Sequence, residues 1–389
     1  MPVAHDQRPV AQTSDQQTLR LRANVGSTTE FAFRTDPGLH SPDEFRAAEL
    51  CLLDVLHDAD PDRLLVIDAN YGVLGIVPAS FGAHVTMIEH SARAAARCRG
   101  NARHNEIADR VSVELRDTPP TSAGPFDIAC LAPRAYVPNV VVEQRMADAI
   151  RSLDPGGRFY LAAAPHAGLA AFEETLAALC GAVTRGSERD DQVVLEATRP
   201  AAYDAPTFVS PQVLRPTING VSLTQVTRPG LFSAAKLDAG TRALAEHLEL
   251  GTADRVLDLA CGYGPLGVYT ARVTGGPVTM TDDEYVATTC ARESAARSGV
   301  DDRVTVVTAN GVDGVTDREF DRVLCNPPTH AGAEVLHELM GGARDVLTDG
   351  GTVHLVHHAG IDFDRYLDPQ FDRISGERVG AYRVVEATG

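Results

Sequence analysis

The chain has 389 residues and a formal net charge of −18, with 44% hydrophobic and 23% charged residues. At roughly 100 to 200 residues per domain this length predicts two domains, and the composition excludes a disordered chain. Lys236 is the only lysine, and an acidic, lysine-poor surface fits a protein that works in molar salt. We therefore expect a halophilic cell, where screening weakens the usual electrostatic argument against a nucleic-acid partner, so the charge neither proves nor excludes RNA binding.

The cysteines and the apolar runs restrict the compartment. The seven cysteines are scattered and never form a C-x-x-C pair, which predicts neither a disulfide framework nor a metal site. No apolar run approaches the length of a membrane span, and the polar segment Met1 to Thr18 has no signal-peptide core. We expect a cytoplasmic protein, and a monomer is the expectation for its oligomeric state.

Four sequence blocks recur at a period of about 193 residues. The matched blocks are 63–68 with 255–260, 109–113 with 302–306, 126–130 with 320–324, and 153–157 with 347–351. This repetition predicts two copies of one fold, a domain at 1–200 and a domain at 201–389. A proline-rich stretch from Thr198 to Pro216 joins them.

Short β-branched runs alternate with helical stretches in each copy, which predicts a Rossmann-like α/β fold with a doubly wound, mostly parallel sheet. In the second copy the pattern predicts strands at 255–259, 277–281, 303–308, 321–325, 351–357 and 381–387, and helices at 240–249, 265–274, 284–298 and 332–346. Between the last strands, 362–376 is predicted as a loop without a long helix, compatible with an antiparallel hairpin at the sheet edge.

A glycine-rich loop follows the first strand of the second copy, with Gly262, Gly264 and Gly267 in a G-x-G-x-x-G pattern. Glycines let the backbone approach a ligand, and the helix that follows presents free amides. Asp258 lies inside the strand, and Asp282 ends the next strand, where a carboxylate can accept hydrogen bonds from ribose hydroxyls. Alone, this pattern fits a dinucleotide, S-adenosylmethionine or a plain tight turn.

Asn326, Pro327 and Pro328 follow the fourth strand, at the edge where open parallel sheets bind ligands. Two prolines make a rigid loop without amide donors, so Asn326 Oδ1 and the Pro327 carbonyl can act as acceptors. Two acceptors suit an exocyclic NH2 group, since they aim its lone pair and stabilise positive charge developing on nitrogen without a strong base. The alternative is an ordinary Asn-Pro turn.

Together with the segment Pro229 to Gly240, these motifs resemble the two-domain ribosomal RNA guanine-N2 methyltransferases. That family has P-G-x-F-S-x-x-x-L-D-x-G before its cofactor loop and N-P-P-F-H after its fourth strand. The resemblance implies class I methyltransferase domains, S-adenosylmethionine as cofactor and ribosomal RNA as partner. It assigns Asp258, Gly262, Gly264, Gly267, Asp282 and Asn310 to the cofactor, Asn326, Pro327 and Pro328 to catalysis, and Phe232, Thr329 and His330 to the substrate.

One position departs from the family pattern. Thr329 stands where the family has an aromatic residue that can stack on an extruded base. Threonine cannot stack, which weakens the assignment of a nucleobase substrate. His330 or Phe232 could supply the ring instead, although His330 is equally well explained as a loop-packing residue.

The first copy lacks most of these groups. Asn70 replaces the first glycine, Val66 replaces the strand aspartate, and 132–134 reads Ala-Pro-Arg in place of Asn-Pro-Pro. Only Glu89 keeps the acidic group at the end of the second strand. We expect an inactive, degenerate copy that helps to hold RNA. Four arginines of one predicted helix could contact phosphates or form a solvated face: Arg93, Arg97, Arg99 and Arg103.

The main prediction is therefore an S-adenosylmethionine-dependent methyltransferase acting on guanine N2 of ribosomal RNA. Its acceptor could instead be another amine, such as adenine N6, a protein glutamine or a small molecule. A nicotinamide-dependent oxidoreductase would use the glycine loop but leaves the Asn-Pro-Pro loop unexplained. A non-catalytic RNA-binding or assembly protein, with both copies degenerate, is the third class.

Overall fold

The computed structural model describes residues 17–25, 27–120 and 124–389. Its contacts divide the chain into two compact units, the first ending at Val209 and the second beginning at Ser210. The prediction for Met1 to Thr18 falls, except for its last two residues, outside the described part. Within these ranges, none of the helices combines the length and apolar character that a membrane crossing requires.

The first unit contains an N-terminal hairpin and a seven-stranded sheet with helices. Its strands are β1 (Gln17–Val25), β2 (Ser27–Thr35), β3 (Arg63–Ile67), β4 (His84–Glu89), β5 (Val111–Leu115), β6 (Phe126–Leu131), β7 (Leu153–Ala163), β8 (Val183–Arg189) and β9 (Gln192–Thr198). Its α-helices are α1 (Ala47–Ala59), α2 (Val73–Ser80), α3 (Ala92–His104), α4 (Asn139–Arg151) and α5 (Leu169–Cys180).

The second unit repeats this plan with short strands in place of the N-terminal hairpin. Its strands are β10 (Gln212–Leu214), β11 (Thr217–Ile218), β12 (Val221–Ser222), β13 (Gln225–Thr227), β14 (Val256–Leu259), β15 (Val278–Asp282), β16 (Val304–Thr308), β17 (Phe320–Cys325), β18 (Leu347–His358), β19 (Arg373–Val379) and β20 (Tyr382–Thr388). Its α-helices are α6 (Ala239–His247), α7 (Pro265–Val273), α8 (Tyr285–Arg297), α9 (Ala333–Asp345) and α10 (Asp364–Leu367).

Both seven-stranded sheets have the same strand order, β5-β4-β3-β6-β7-β9-β8 in the first unit and β16-β15-β14-β17-β18-β20-β19 in the second. The pairs from β16 to β18 are parallel, and β20 is antiparallel to both of its neighbours. The predicted tandem Rossmann-like fold with an antiparallel edge is confirmed. The segment predicted as a loop at 362–376 instead holds the short helix α10 and the start of β19.

Apolar side chains cover both faces of the second sheet. Leu257 and Leu259 pack toward α9 on one face, and Val256 packs with residues of α7 and α8 on the other. Parallel strands that are buried on both faces leave the carboxyl ends of the strands as the place where a ligand can reach the sheet. The glycine loop and the Asn-Pro-Pro loop both lie at this edge.

The strand that enters each sheet domain was missed by the sequence analysis. In the first unit, Asn101 of α3 and Asn105, the residue directly after α3, accept hydrogen bonds from backbone amides of β2 at 2.9 and 3.0 Å. In the second unit, Ser294 of α8 and Ser298, the residue directly after α8, accept hydrogen bonds from amides in and next to β13 at 2.8 and 3.1 Å. The same side-chain-to-backbone docking therefore fixes the entry segment in both repeats.

Candidate active site

The loop after β14 passes through left-handed backbone at Ala260, Gly262 and Gly264, with φ of 56°, 56° and 84°. Gly264 is strongly favoured as glycine, because its φ is 84° and a Cβ there would lie 2.9 Å from Met280 Sδ and 3.1 Å from Ala291 Cβ. A Cβ on Gly262 would meet nothing within 4 Å, so space lies open beside the loop. The loop leads directly into α7, which begins at Pro265, so the N-terminus of this helix lies at the same edge of the sheet.

Asp258 holds the glycine loop to its strand. Its Oδ2 accepts a hydrogen bond from the Gly267 amide at 2.7 Å, and the residue is 1% exposed. Burial raises the pKa of Asp258 to about 7; the Gly267 amide opposes this rise and the nearby Asp282 carboxylate adds to it. The contact that the structure shows for this predicted cofactor residue is therefore with the loop itself.

Asp282 ends β15 beside the loop; part of the residue reaches solvent, while its carboxyl group is enclosed by the surrounding protein. Its two oxygens accept hydrogen bonds from the Gly262 amide at 2.8 Å and the Glu284 amide at 2.9 Å. Burial raises the pKa of Asp282 to about 7. Asn310 is placed next to it, because the Ala309 amide donates to the Asp282 carbonyl at 3.0 Å. The structure thus brings the predicted cofactor residues to one edge, while their binding roles stay predictions.

The Asn326 side chain belongs to a network with α6. Its Nδ2 donates to Thr241 Oγ1 at 2.8 Å and to Asp238 Oδ2 at 3.1 Å. The same Asp238 oxygen accepts from the Thr241 amide at 2.8 Å, which makes Asp238 the N-cap of α6. We call these three residues the Asn326 network. Since its nitrogen is engaged, the amide oxygen of Asn326 is the end left to accept a hydrogen bond.

The rest of the Asn-Pro-Pro loop is held by its own backbone. The Thr329 amide donates to the Pro327 carbonyl at 2.8 Å, and the Ala331 amide donates to the Pro328 carbonyl at 2.8 Å. A carbonyl oxygen has two lone pairs, so Pro327 retains one for a ligand. The predicted second acceptor is therefore half used within the chain.

The three predicted substrate residues are exposed. Phe232 has 65% of its surface exposed, in the segment between β13 and α6. Thr329 and His330 lie in a turn after the Asn-Pro-Pro loop and are exposed too. Their predicted contacts with substrate stay predictions.

Asp238 and Thr241 were missed as site residues by the sequence analysis, which used Asp238 only as a motif position. A signal was present, since an aspartate directly before a helical stretch favours an N-cap. Only the fold shows that this cap also reaches Asn326, 88 positions along the chain.

In the first unit, the carboxylate of Glu89 at the end of β4 already accepts hydrogen bonds from protein groups. Glu89 Oε2 accepts hydrogen bonds from the Asn70 amide at 2.8 Å and from Arg134 Nη2 at 2.7 Å. Its Oε1 accepts from the two amides that follow it, at 2.9 and 3.1 Å, and the residue is 0% exposed. Asn70 Nδ2 also donates to the His40 carbonyl at 2.8 Å, so a side chain stands where Gly262 leaves space.

The first unit has also replaced every member of the Asn326 network. Arg46 takes the N-cap position of α1 and donates to the carbonyls of Ala132 and Pro133 at 3.0 and 2.6 Å. Glu49 lies 3.5 Å from this guanidinium and is buried. In the first unit, the residue at the position of Asp282 and the residues at the positions of the Asn326 network therefore all bind groups of the protein itself.

Three of the four arginines of α3 bind neighbouring protein groups. Arg97 pairs with Asp36, and Arg93 donates to the Pro37 carbonyl at 2.9 Å. Arg99 donates to the Val113 carbonyl at 2.7 Å. Phosphate contacts by this helix would have to compete with these interactions.

Comparisons with known proteins identify relatives over most of the chain. The family model described as "Methyltransferase small domain" matches residues 30–196 and 222–386. Ribosomal RNA large subunit methyltransferase G of Pseudomonas putida (strain W619) is 30% identical over 341 residues, covering 83% of this chain and 87% of that protein. Ribosomal RNA small subunit methyltransferase C of Marinomonas sp. (strain MWYL1) is 32% identical over 177 residues, covering 43% of this chain and 48% of that protein.

A solved structure shares the two-unit fold. It is the T. thermophilus 16S rRNA N2 G1207 methyltransferase (RsmC) in complex with AdoMet and guanosine, at a TM-score of 0.75 and 22% identity. The match covers 95% of this chain and 97% of that chain. At this identity the likeness shows the fold.

The raised pKa values predict an unusual pH dependence of stability. A carboxyl whose folded pKa of about 7 exceeds its unfolded value of about 4 keeps its proton in the folded chain across that window, so stability falls as pH rises from 4 to 7. One such group contributes at most about 1.4 kcal/mol per pH unit. Asp258→Asn should flatten the pH profile of the free energy of unfolding, measured by denaturant titration without cofactor between pH 5 and 8.

Asp321 supplies the matched control. The Arg255 guanidinium holds the pKa of Asp321 below its usual range, so the protonation of this carboxyl changes the free energy of unfolding only below about pH 4. Asp321→Asn should leave the slope between pH 5 and 8 unchanged. Equal slopes in the parent chain and in Asp258→Asn would contradict the assignment.

Proposed function

Since the chain belongs to the methyltransferase small domain family and is therefore an S-adenosylmethionine-dependent methyltransferase, we propose that it methylates the N2 amine of guanine in ribosomal RNA. The family membership removes the nicotinamide-dependent oxidoreductase from consideration. Two relatives named as ribosomal RNA methyltransferases and a fold neighbour described with guanosine support this choice of acceptor. We further propose that the protein acts as a monomer on ribosomal RNA in the cytoplasm.

The second unit fits the cofactor. Open space lies beside Gly262, and Asp282 retains unused acceptor capacity, since two amides occupy only part of its four lone-pair sites. We assign Asp282 to the ribose and Asn310 to the adenine. Asp258 supports the site by fixing the Gly267 amide. When bound, S-adenosylmethionine supplies an electrophilic methyl group on a sulfonium sulfur.

The orientation of the Asn326 amide carries the choice of an amine as acceptor. Its Nδ2 is bonded to Thr241 and Asp238, so Oδ1 is available for an N–H donor. The remaining lone pair of the Pro327 carbonyl can take the second amine hydrogen. Held by both hydrogens, the nitrogen keeps its lone pair for the reaction, and the two oxygens stabilise the positive charge that develops on it.

The first unit is proposed to hold RNA without turnover. Tyr136 is 66% exposed in the loop after β6, the loop that corresponds to the Asn-Pro-Pro loop. The His40 ring lies edge-on to it, with centroids 5.6 Å apart. Burial and the charges of Arg46 and Arg134 lower the pKa of His40 to about 4, so this imidazole is neutral at pH 7. An exposed aromatic ring with a neutral imidazole beside it suits stacking by an unpaired base.

The function is tested by mapping methylated nucleosides in ribosomal RNA from a strain that lacks this protein. We expect N2-methylguanosine to be lost at one position and restored by the parent chain but not by Asn326→Ala. In single-turnover assays on that RNA, Asn326→Ala should lower the rate on the order of 10²-fold to 10³-fold, because one preorganised partner of the developing charge is gone. Its affinity for S-adenosylmethionine should stay nearly intact.

Other outcomes of this experiment are equally informative. Loss of a different methylated base would identify another amine as acceptor. An unchanged map of ribosomal RNA would contradict the RNA assignment. Unimpaired turnover by Asn326→Ala would mean that the Asn-Pro-Pro loop is structural.

A further prediction concerns Thr329, which stands where the family has an aromatic residue. If the only consequence of Thr329 is the loss of stacking on the base, Thr329→Phe should be tolerated or should tighten RNA binding in the same assay.

The cofactor assignment predicts a difference between the two units. Asp282→Ala should weaken S-adenosylmethionine binding by about 1.5 to 3 kcal/mol, the range for hydrogen bonds to a charged group. Because the pKa of Asp282 is about 7, affinity in the parent chain should also weaken as pH falls from 8 to 6. Isothermal titration should give one cofactor per chain.

The control for this titration is the equivalent residue of the first unit. Glu89→Gln preserves the size of the side chain and should leave cofactor affinity unchanged. A stoichiometry of two per chain, or a loss of affinity in Glu89→Gln, would show that the first unit binds cofactor.

The RNA-holding role predicts an effect on binding without an effect on chemistry. Tyr136→Ala should weaken binding of single-stranded RNA by about 1 to 3 kcal/mol, the usual value for one stacked base, while Tyr136→Phe keeps the ring and the affinity. Fluorescence anisotropy with labelled RNA measures this, and single-turnover rates at saturating RNA should match the parent. Equal affinities for Tyr136→Ala and Tyr136→Phe would contradict the role.

A further inference from the structure

We propose that Asp238 and Thr241 are positioning residues that fix which end of the Asn326 amide faces the acceptor amine. This inference rests on the proposed methyl transfer to an amine. Neither residue is assigned a contact with cofactor or substrate, and both act through Asn326.

The hydrogen-bond directions in the Asn326 network have one consistent solution. A carboxylate can only accept, so the Asn326 atom 3.1 Å from Asp238 Oδ2 must be the NH2 group. The Thr241 hydroxyl lies 3.2 Å from the same oxygen and must donate its single hydrogen to it. Its lone pairs are then left to accept from Asn326 Nδ2 at 2.8 Å. Both contacts therefore place Oδ1 at the free end of the amide.

This choice matters because a carboxamide has nearly the same shape in its two orientations. With Oδ1 at the free end, Asn326 accepts an N–H of the acceptor amine. After a flip, its NH2 would face another NH2 group, and neither could accept from the other. The amine would lose both its hold and the negative partner for its developing charge.

The carboxylate that sets this orientation is itself held in place. Asp238 Oδ2 accepts the Thr241 amide at 2.8 Å as the N-cap of α6. Gly240 leaves room for it, since a Cβ there would lie 3.1 Å from the same oxygen and 2.8 Å from the Tyr382 ring. Asp238 is thus anchored by the helix and does not depend on a bound substrate for its position.

The two repeats provide an internal comparison. The first unit has Ala132 at the position of Asn326, and there the N-cap position holds Arg46 and the threonine position holds Glu49. Arg46 is a donor and contacts two carbonyls, while the Glu49 carboxyl faces the Arg46 guanidinium at 3.5 Å, so the pair of acceptors in the second unit is not reproduced. The first unit therefore lacks the Asn326 amide and also lacks both groups, Asp238 and Thr241, that orient this amide in the second unit.

The test is a double-mutant cycle with Asn326→Ala, read as single-turnover methyl transfer. Asp238→Ser keeps an N-cap hydroxyl but is too short to reach Asn326 as well, and Thr241→Val removes the second acceptor at constant shape. We expect each change to lower kcat about 10-fold and the pair to approach the loss in Asn326→Ala. Asp238→Asn, unlike Asp238→Ser, should keep turnover close to that of the parent chain, because the Oδ1 of the new asparagine can take the place of the accepting Asp238 Oδ2.

Two further readouts separate positioning from folding. On the Asn326→Ala background, Asp238→Ser should have no additional effect on turnover, and in neither background should it change the affinity for S-adenosylmethionine. The Asn326 side-chain amide protons, identified in a ¹⁵N NMR spectrum by their absence in Asn326→Ala, should be protected from exchange in the parent chain and exposed in the Asp238→Ser/Thr241→Val pair.

The outcomes distinguish this inference from the proposed function. If Asp238→Ser lowers turnover equally in both backgrounds, or leaves kcat unchanged while Asn326→Ala impairs it, positioning is overturned and the methyl transfer stands. If the parent chain methylates no guanine, the proposed function fails. The NMR measurement then still decides whether Asp238 and Thr241 hold the amide nitrogen, since unprotected protons in the parent chain would contradict it.

Discussion

A carboxylate at the end of β4 in the first sheet, and of β15 in the second, accepts a hydrogen bond from a backbone amide. That amide lies in the loop after the neighbouring strand, β3 or β14. In the second unit this pair is Asp282 with the Gly262 amide, and in the first it is Glu89 with the Asn70 amide, both at 2.8 Å. The bond closes a turn that passes through three left-handed residues in each repeat. Because this turn sets where α7 begins, the space beside the loop and the fixed position of Gly267 both depend on it.

The duplication shows that this turn does not by itself make a binding site. Asn70 adopts the left-handed conformation of Gly262 at φ 56°, as asparagine does more readily than most residues, so the loop keeps its shape. The difference lies in what surrounds it, since the Asn70 side chain and Arg134 occupy the region that the second unit leaves open. The first repeat has kept the architecture of a cofactor loop while satisfying its polar groups internally.

The sequence predicted the sheet domains well because their signals are local. Strands β14 to β17 and helices α6 to α9 lie within about two residues of their predicted positions, where apolar periodicity and glycine punctuation coincide. The entry strand β13 was missed because it has only three residues and is defined by its docking on Ser294 and Ser298, in and directly after α8. Asp238 was missed as a site residue for a related reason. Its helix cap is a local signal, but its contact with Asn326 exists only after two distant segments pack together.

The charges of the two repeats follow one electrostatic rule. Buried carboxyls at this edge of the sheet are unfavourable alone, which is why burial raises the pKa of Asp258 and Asp282 to about 7 in the second unit. In the first unit Arg134 pairs with Glu89 at 2.7 Å, so the protein supplies its own cation to the same edge. The second unit has no described arginine or lysine paired with Asp258 or Asp282. Since S-adenosylmethionine carries a sulfonium charge, binding would bring to the second unit the positive charge that the first has built in.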